Sequence, residues 1–553
     1  MIALLGAAAA ISRDYQDSWV LEGLEIPFML FVVTYVLAFF CEKKVSMMVA
    51  LAVIGRCVFL LIPNLKYVWF QGVAIDQHQQ FGLANHVYNE GYIATQNSPG
   101  VLVYGNTPLI QLTLAIFSIV LNVQVVDSMK YVPVLLSPIY PLLTYVLVKN
   151  LKFLQGTAVL KYALFISSIP ISFVITGTEF GVLVAFLVLT SLVALLRKND
   201  RRRWFLFIFF SLVLAATHSS SSVLLATFLL ATMLLQKVLH FRLKSYLMAP
   251  LVLASTLICA AWLMFQAGFT LESIVRMIFV RSSESAQIPS RFFEMVRVDI
   301  FGAIKTVLVF YGLDAFLLLL TLFGLIIALK MRKQINDDTL NFLLLISGVM
   351  LLFMPIGFLI GGGVLGGAGI RILFFLSLIF PIFSGIFILY AVRRGMMMRV
   401  VMFLLIIPLT TLGLYGCQPL IPSANVLSKD LPINEPIVYA TGVNSIYQRQ
   451  MIEFASYHTG GQIACDRITL NQIIGLTELN FSVAHLTWYY PLDKNQLEIK
   501  YDYFLIHLPG ISGAFDEQAE MRTRDLILEA INNSNIVYTN GESYILAHNP
   551  TYP

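Results

Sequence analysis

Asp76, His78, His86 and Glu90 fall close together in the run from Tyr67 to Asn106, with apolar sequence on either side. The run opens Tyr67-Val68-Trp69-Phe70 and continues Ile75-Asp76-Gln77-His78-Gln79-Gln80-Phe81. Two acids and two imidazoles at this spacing can do general acid–base work or ligate a divalent cation. Asp76 follows a Trp/Phe patch suited to a membrane interface. Its carboxylate could take a proton from an acceptor hydroxyl while an anomeric bond to phosphate breaks. Asp before Gln77-His78-Gln79 is also ordinary helix-capping chemistry, and the two roles are compatible. A long polar, aromatic loop between apolar segments costs ordering entropy and packs little core, which favours an active-site loop over a plain connector. His78 and Glu90 are the candidate metal ligands. A single carboxylate at the head of the loop argues against a metal, and without CxxC or HExxH no structural zinc site is expected.

Arg371 is the second candidate, in Gly369-Ile370-Arg371-Ile372-Leu373-Phe374-Phe375 at the outer start of an apolar span. An ionisable group there is expensive unless paired or hydrated, and a guanidinium fork suits a phosphate oxyanion. Snorkelling to the headgroups is the plainer alternative. Glu179 and His218 also fall at outer span ends, where they could line a substrate cavity with Asp76. The helix dipole explains Glu179 equally well, and capping explains His218 better. Gly268 to Ile300 is amphipathic, with Arg276, Arg281, Arg291 and Arg297 among Ile274, Met277, Ile278, Phe279 and Phe292. That pattern suits a helix lying in the interface plane, with Arg276 and Arg281 on a lipid phosphate or on anionic headgroups. Arg56 and Asp314 lie inside apolar stretches and are expected to pair structurally.

These residues need a membrane scaffold. Of 553 residues, 58% are hydrophobic and 12% charged, about half the charge of a soluble domain. No basic stripe with interleaved aromatics appears, so nucleic-acid binding is not expected. Cys41, Cys57, Cys259 and Cys417 lie in or beside apolar segments and Cys465 in a polar tail, so no disulfide framework is legible. Met1 to Ile11 makes a poor signal peptide. Apolar segments recur at Ile26–Cys41, Val45–Pro63, Tyr131–Val148, Thr157–Thr176, Phe180–Leu196, Ser245–Gln266, Phe301–Leu329, Phe342–Ile360, Ile370–Val392 and Arg399–Tyr415. Trp204–Leu239 is too long for one span and breaks at Thr217-His218-Ser219, while Pro108–Val126 reads as a surface or re-entrant piece. The fold expected is a polytopic α-helical membrane protein of roughly 11–13 transmembrane helices. It occupies residues 1–417, with external loops 64–107 and 268–300; a Pro-rich linker, 418–436, leads to a small α/β domain, 437–553. Basic turns at Glu42-Lys43-Lys44 and Arg197 to Arg203 mark the inside and place that domain outside the cell. Its last strands should form a hairpin about Asn540-Gly541. Helical patterns run Ser445–His458 and Asp516–Asn532, and two N-glycosylation patterns begin at Asn480 and Asn532.

This layout resembles the GT-C superfamily of integral membrane glycosyltransferases, which includes oligosaccharyltransferases, protein O-mannosyltransferases and aminoarabinose transferases. The run Ile75-Asp76-Gln77-His78-Gln79-Gln80-Phe81-Gly82-Leu83-Ala84-Asn85, then Gly91-Tyr92 and Lys130-Tyr131-Val132-Pro133, is similar to uncharacterised archaeal members. So are Cys465-Asp466-Arg467 and Val537-Tyr538-Thr539-Asn540-Gly541 in the tail. The resemblance implies an inverting transferase on the extracytoplasmic face of the cell membrane. Its donor would be a polyprenyl-phosphate-linked sugar and its acceptor a glycan, lipid or protein. It carries the catalytic acid to Asp76 and the donor-phosphate arginine to Arg371. Many members place a second acid two or three residues after the first, where this chain has His78 and Gln79. That departure sets a divalent cation, Mg2+ or Mn2+, against a metal-independent route. A lipid or solute transporter or flippase is the alternative; it predicts polar residues near mid-membrane on several spans and related halves, and the chain has few mid-span charges and no such halves. A scaffold displaying the tail would need neither the acidic loop nor the basic outer residues.

Overall fold

A computed structural model describes residues 25–66, 75–93, 108–151, 157–169, 177–239, 241, 245–266, 300–332, 337–359, 372, 375–402, 454–455, 463–466, 486–488, 503–507, 528, 535–539 and 543–547. The helices there are α1 (Glu25–Cys41), α2 (Val45–Lys66), α3 (Ile75–Glu90), α4 (Leu109–Leu121), α5 (Val125–Leu136), α6 (Ile139–Asn150) and α7 (Thr157–Ser168). They continue as α8 (Gly177–Arg197), α9 (Arg201–Thr217), α10 (Ser219–Val238), α11 (Ser245–Phe265), α12 (Ile300–Arg332), α13 (Asp338–Leu359) and α14 (Phe380–Arg393). The strands are β1 (Ile463–Asp466), β2 (Leu486–Trp488), β3 (Tyr503–His507), β4 (Asn535–Thr539) and β5 (Ser543–Ala547). Asp127–Asn150, Phe180–Arg197, Ser219–Val238, Met248–Phe265 and Asp338–Pro355 are long and apolar enough to cross a bilayer. The chain is a mostly helical, multi-pass membrane protein with a small sheet near its C-terminal end. It divides into two compact units.

The first unit comprises Met1–Ile62, Asn106–Ile110 and Tyr131–Cys417. Lipid is as apolar as leucine, so close packing, and not water exclusion, holds such helices together. Rings of α1, α2 and α7 interlock, with centroids 5.5 Å apart for Tyr35–Phe59 and 5.6 Å for Phe39–Phe165. Gly55 lets α2 close on Tyr35, where a Cβ would lie 2.5 Å from the ring. Gly324 lets α12 close on α14, since a Cβ there would run into the Phe383 carbonyl. Beside it the Thr321 and Ser384 hydroxyls stand 3.1 Å apart.

Charged side chains tie helix ends together. Lys161 Nζ donates to the carbonyls of Phe40 at 2.5 Å and Glu42 at 2.8 Å, joining α7 to the end of α1. The Glu42 carboxylate accepts the N–H groups of Lys44 and Lys43, and these bonds hold its pKa below the usual carboxylate value. Asp200 caps α9 by accepting from Arg203 N at 3.0 Å. Arg203 in turn donates to Ala194 O at 2.6 Å. Arg197 Nη1 donates to Lys149 O at 3.0 Å, bringing the ends of α6 and α8 together.

Two helices are shorter than expected. α7 stops at Ser168, not Thr176, because Pro170 disfavours helical backbone just before it. α14 starts at Phe380, after a turn at Ser377–Ile379, with Pro381 in its first turn. At 12 and 14 residues they rise roughly 18 and 21 Å, less than the ~30 Å hydrocarbon core. Their interruptions share one level. Gly385 of α14 packs on Ala163 of α7, five residues from each interruption, and the basic residues at the start of α7 (Lys161) and the end of α14 (Arg393, Arg394) fit an antiparallel pair. Arg56 of α2 reaches the same level, donating to Ser167 O at 2.8 Å and Ile169 O at 3.3 Å with its guanidinium 4.1 Å above the Tyr140 ring. Its neighbour Cys57 touches Ser137, in the turn that separates α5 from α6. Arg56 therefore answers the carbonyls left open at the end of α7. The side chain of its expected partner, Asp314, lies outside the described residues.

The second unit comprises Pro63–Gly105, Gln111–Lys130 and Gln418–Pro553. α4 has 13 residues, too few to cross a bilayer, in line with the surface or re-entrant reading of Pro108–Val126. It turns into α5 through Asn122 at φ 53°, and the Ser118 and Ser128 hydroxyls meet at 2.7 Å across the turn. The sheet has the order β2-β1-β3-β5-β4. β1 runs parallel to β2 and β3, while β5 is antiparallel to β3 and β4. Leu505, Ile545 and Leu546 are buried, and Phe454 stacks on Tyr538 with centroids 4.7 Å apart. The expected final hairpin is β4–β5; its turn, 540–542, lies outside the described residues. Of the two helical patterns expected in the tail, Phe454–Ala455 and Leu528 are described, and they are helical.

Candidate functional site

α3 carries the acidic stretch. Asp76 is its second residue and His78 its fourth, and the side chains of both lie outside the described residues. At roughly 100° per residue the two positions stand on opposite sides of the helix. The buried stripe of α3 is Gln80, Phe81, Ala84 and Val87. Asp76 holds the position one turn ahead of Gln80 in that stripe. Neither Nε2 nor Oε1 of Gln80, a fully buried residue, has a hydrogen-bond partner. His86 Nε2 is also buried without a partner, and its ring meets Tyr92 edge-on at 4.9 Å between centroids. Glu90 is exposed at the far end of the helix.

His78 and Glu90 are twelve residues apart on this helix, roughly 18 Å of rise. One ion cannot be held by both, so the expected pair does not form a ligand set on α3. Among the described residues no three His, Cys, Asp or Glu side chains come together.

Glu179 and His218 belong to the first unit. Glu179 is in the first turn of α8, its side chain outside the described residues. His218 joins α9 to α10 in an extended conformation, φ −156° and ψ 97°, and its Nδ1 accepts from Ser221 N at 3.2 Å. The Ser221 hydroxyl lies 2.7 Å from the same nitrogen. Gly181, two residues beyond Glu179, presses on this cap: a Cβ there would stand 2.8 Å from His218 Cβ. The start of α8 and the α9–α10 break therefore sit at one end of the first unit. Arg276, Arg281 and Arg371 lie outside the described residues. The burial of Gln80 is what the sequence reading did not foresee. Its i+4 spacing from Asp76 on a helix was the available signal.

No protein-family model matches the chain, and no curated protein sequence does. Solved structures do. The apo form of the Archaeoglobus fulgidus oligosaccharyltransferase matches with a TM-score of 0.51 at 11% identity, over 92% of this chain and 75% of that one. The archaeal oligosaccharyltransferase AglB from Archaeoglobus fulgidus, in complex with an inhibitory peptide and a dolichol-phosphate, gives 0.50 at 10% identity, over 92% and 74%. The Archaeoglobus fulgidus oligosaccharyltransferase complex with Zn and sulfate gives 0.50 at 10%, over 90% and 73%. At this identity the likeness speaks of architecture alone: the chain shares the fold of these archaeal oligosaccharyltransferase structures.

Proposed function

We propose that this protein is an inverting membrane glycosyltransferase. It moves a sugar from a polyprenyl-phosphate-linked donor to a glycan, lipid or protein acceptor on the extracytoplasmic face. The observation that carries the reading is the fold match over 92% of the chain to an enzyme solved with a dolichol-phosphate and a peptide. Asp76, at the N-terminal end of a helix in the polar stretch, is the general base. It draws the proton from the acceptor as the acceptor attacks the anomeric carbon and the bond to phosphate opens. A carboxylate is favoured at that end of a helix by the aligned peptide dipoles. Arg371 takes up the charge that develops on the leaving phosphate. His78, Glu179, His218, Arg276 and Arg281 are the proposed contacts to donor and acceptor. A divalent cation beside Asp76 would neutralise donor phosphate charge, and by the helix geometry neither His78, on the opposite side of α3, nor Glu90, at its far end, would share it with Asp76. The steps assigned to Asp76 and Arg371 stand without it.

The test is sugar transfer in membranes supplied with a labelled polyprenyl-phosphate sugar. Asp76→Asn should lower transfer by roughly 100-fold or more while the purified protein keeps its elution volume and unfolding temperature. Unchanged transfer would remove Asp76 from the reaction.

A further inference from the structure

Arg197, Arg201, Arg202 and Arg203 lie between the end of α8 and the first turn of α9, and they divide into two pairs. Arg197 and Arg203 turn onto protein oxygens, Arg197 onto Lys149 O and Arg203 onto Ala194 O, Lys198 O and the Asp200 carboxylate. Arg201 and Arg202 are exposed, and among the described residues neither has a hydrogen-bond or ion-pair partner for its guanidinium. Asp200, the nearest carboxylate in sequence, is already engaged by Arg203. Cations in the first turn of a helix oppose the aligned peptide dipoles. A topology signal alone would be met as well by the same charges in the turn before the helix.

Beyond the arginines α9 has two faces. Phe207, Ser211 and Leu214 are buried. Phe205, Leu206, Ile208, Phe209 and Leu212 are exposed, and the Phe205 and Phe209 rings stack with centroids 6.0 Å apart and planes 15° from parallel. At roughly 100° per residue, Arg201 heads the row Phe205, Ile208 and Leu212, and Arg202 heads Leu206 and Phe209. Trp204 lies between the arginines and these rows, its Nε1 donating to Asn199 Oδ1 at 2.9 Å, and an indole so held marks the headgroup level. From Arg201 to Leu212 the helix rises roughly 16 Å, about the depth of one leaflet of a ~30 Å hydrocarbon core.

Two open cations at the head of one leaflet's depth of apolar surface complement a single phospholipid. The charges select its headgroup. Guanidinium forks suit the unesterified oxygens of a phosphodiester. A headgroup that carries an ammonium would set a third cation beside them. A free phosphate would answer the arginines and leave the apolar rows unused. A second copy of this chain, packed face to face, would bring like charges together.

We propose that the exposed face of α9 holds one anionic phospholipid, with its phosphate on Arg201 and Arg202 and an acyl chain along Phe205, Phe209 and Leu212. The lipid comes from the leaflet at the arginine end of the helix. The proposal is independent of the sugar-transfer reading.

The test is native mass spectrometry and thermal unfolding of the purified full-length protein in detergent. It is titrated with phosphatidylglycerol, phosphatidylcholine or glycerol 3-phosphate. Wild type should bind one phosphatidylglycerol at least about tenfold more tightly than phosphatidylcholine, and should unfold at a higher temperature with it. Arg201→Gln/Arg202→Gln should lose that preference, and Phe205→Ala/Phe209→Ala should weaken both lipids. Lys198→Gln/Lys237→Gln removes the same charge from exposed residues outside the rows and should bind as wild type does. Equal loss in that control would mean that net charge alone is read, and would overturn the proposal. Equal binding of the two lipids by wild type would do the same, as would glycerol 3-phosphate binding as tightly as the lipid. A dimer without bound lipid, lost in the phenylalanine variant, would give the face to a second copy instead. If Arg201→Gln/Arg202→Gln inserts wrongly, Arg201→Lys/Arg202→Lys decides, since it keeps the topology charge without the fork. It should weaken phosphatidylglycerol by about threefold or more, and wild-type affinity there would overturn the proposal.

Discussion

His218 caps a helix with a ring nitrogen where serine or aspartate is usual. The bond from Ser221 N requires Nδ1 to be unprotonated, so the neutral ring carries its proton on Nε2. His218→Ala should cost roughly 0.5–2 kcal/mol, while His218→Asn, itself a strong capping residue, should hold stability near wild type. Thermal unfolding in detergent would read both, and equal losses would mean that ring packing against α8 matters more than the cap. At this scale the sequence was legible where chemistry is local. Thr217-His218-Ser219 announced a break with a capping residue, and the break is there. Asp76 stood out because an acid beside interfacial aromatics is conspicuous. Gln80 did not, because a neutral amide in a polar run looks solvated until the helix register shows which side it occupies.

Among the described glycines, Gly324 marks the tightest approach, that of α12 to α14. Gly324→Ala should destabilise by roughly 1–3 kcal/mol, because the new methyl meets backbone and no side chain can swing aside. Gly348, inside α13 with nothing within 4 Å of its added Cβ, supplies the control. Gly348→Ala should be neutral or stabilise by up to roughly 1 kcal/mol through helix propensity. Matched losses in the two variants, measured by urea or thermal unfolding, would mean that the α12–α14 contact is not close. Span existence was readable, since hydropathy averages over many residues. The early stop of α7 and late start of α14 were not, because apolar composition continues through both interruptions. Pro170 and Pro381 carried the missing information.

At the scale of the molecule, charge sets sidedness. Lys161 joins the start of α7 to the end of α1, and Arg197 joins the ends of α6 and α8. The Cys41 end and the Lys149, Arg197 and Lys198 ends therefore share one face, which the positive-inside rule predicts to be cytoplasmic. Cys41 is exposed and serves as a reporter once the other cysteines are replaced. A membrane-impermeant thiol reagent should spare it in intact cells and label it in inside-out vesicles, with Lys198→Cys behaving alike on a cysteine-free background. Labelling of the two from opposite sides would invert the topology and with it the face assigned to the active site. The alternation of spans was legible because lipid demands long apolar runs and basic flanks. The grouping of the acidic stretch with the distant tail in one compact unit was not, because contacts so far apart in sequence leave no local pattern.

The interruptions at Ser137–Pro138, Ser168 and Phe380 leave α6, α7 and α14 as a layer of short helices beside the long ones of the first unit. They form an unbroken plinth, riveted by Gly385 on Ala163 and by Lys161 on the end of α1. Cutting that layer loose, with Gly385→Leu at the rivet, should therefore unfold all three helices together, and not α14 alone.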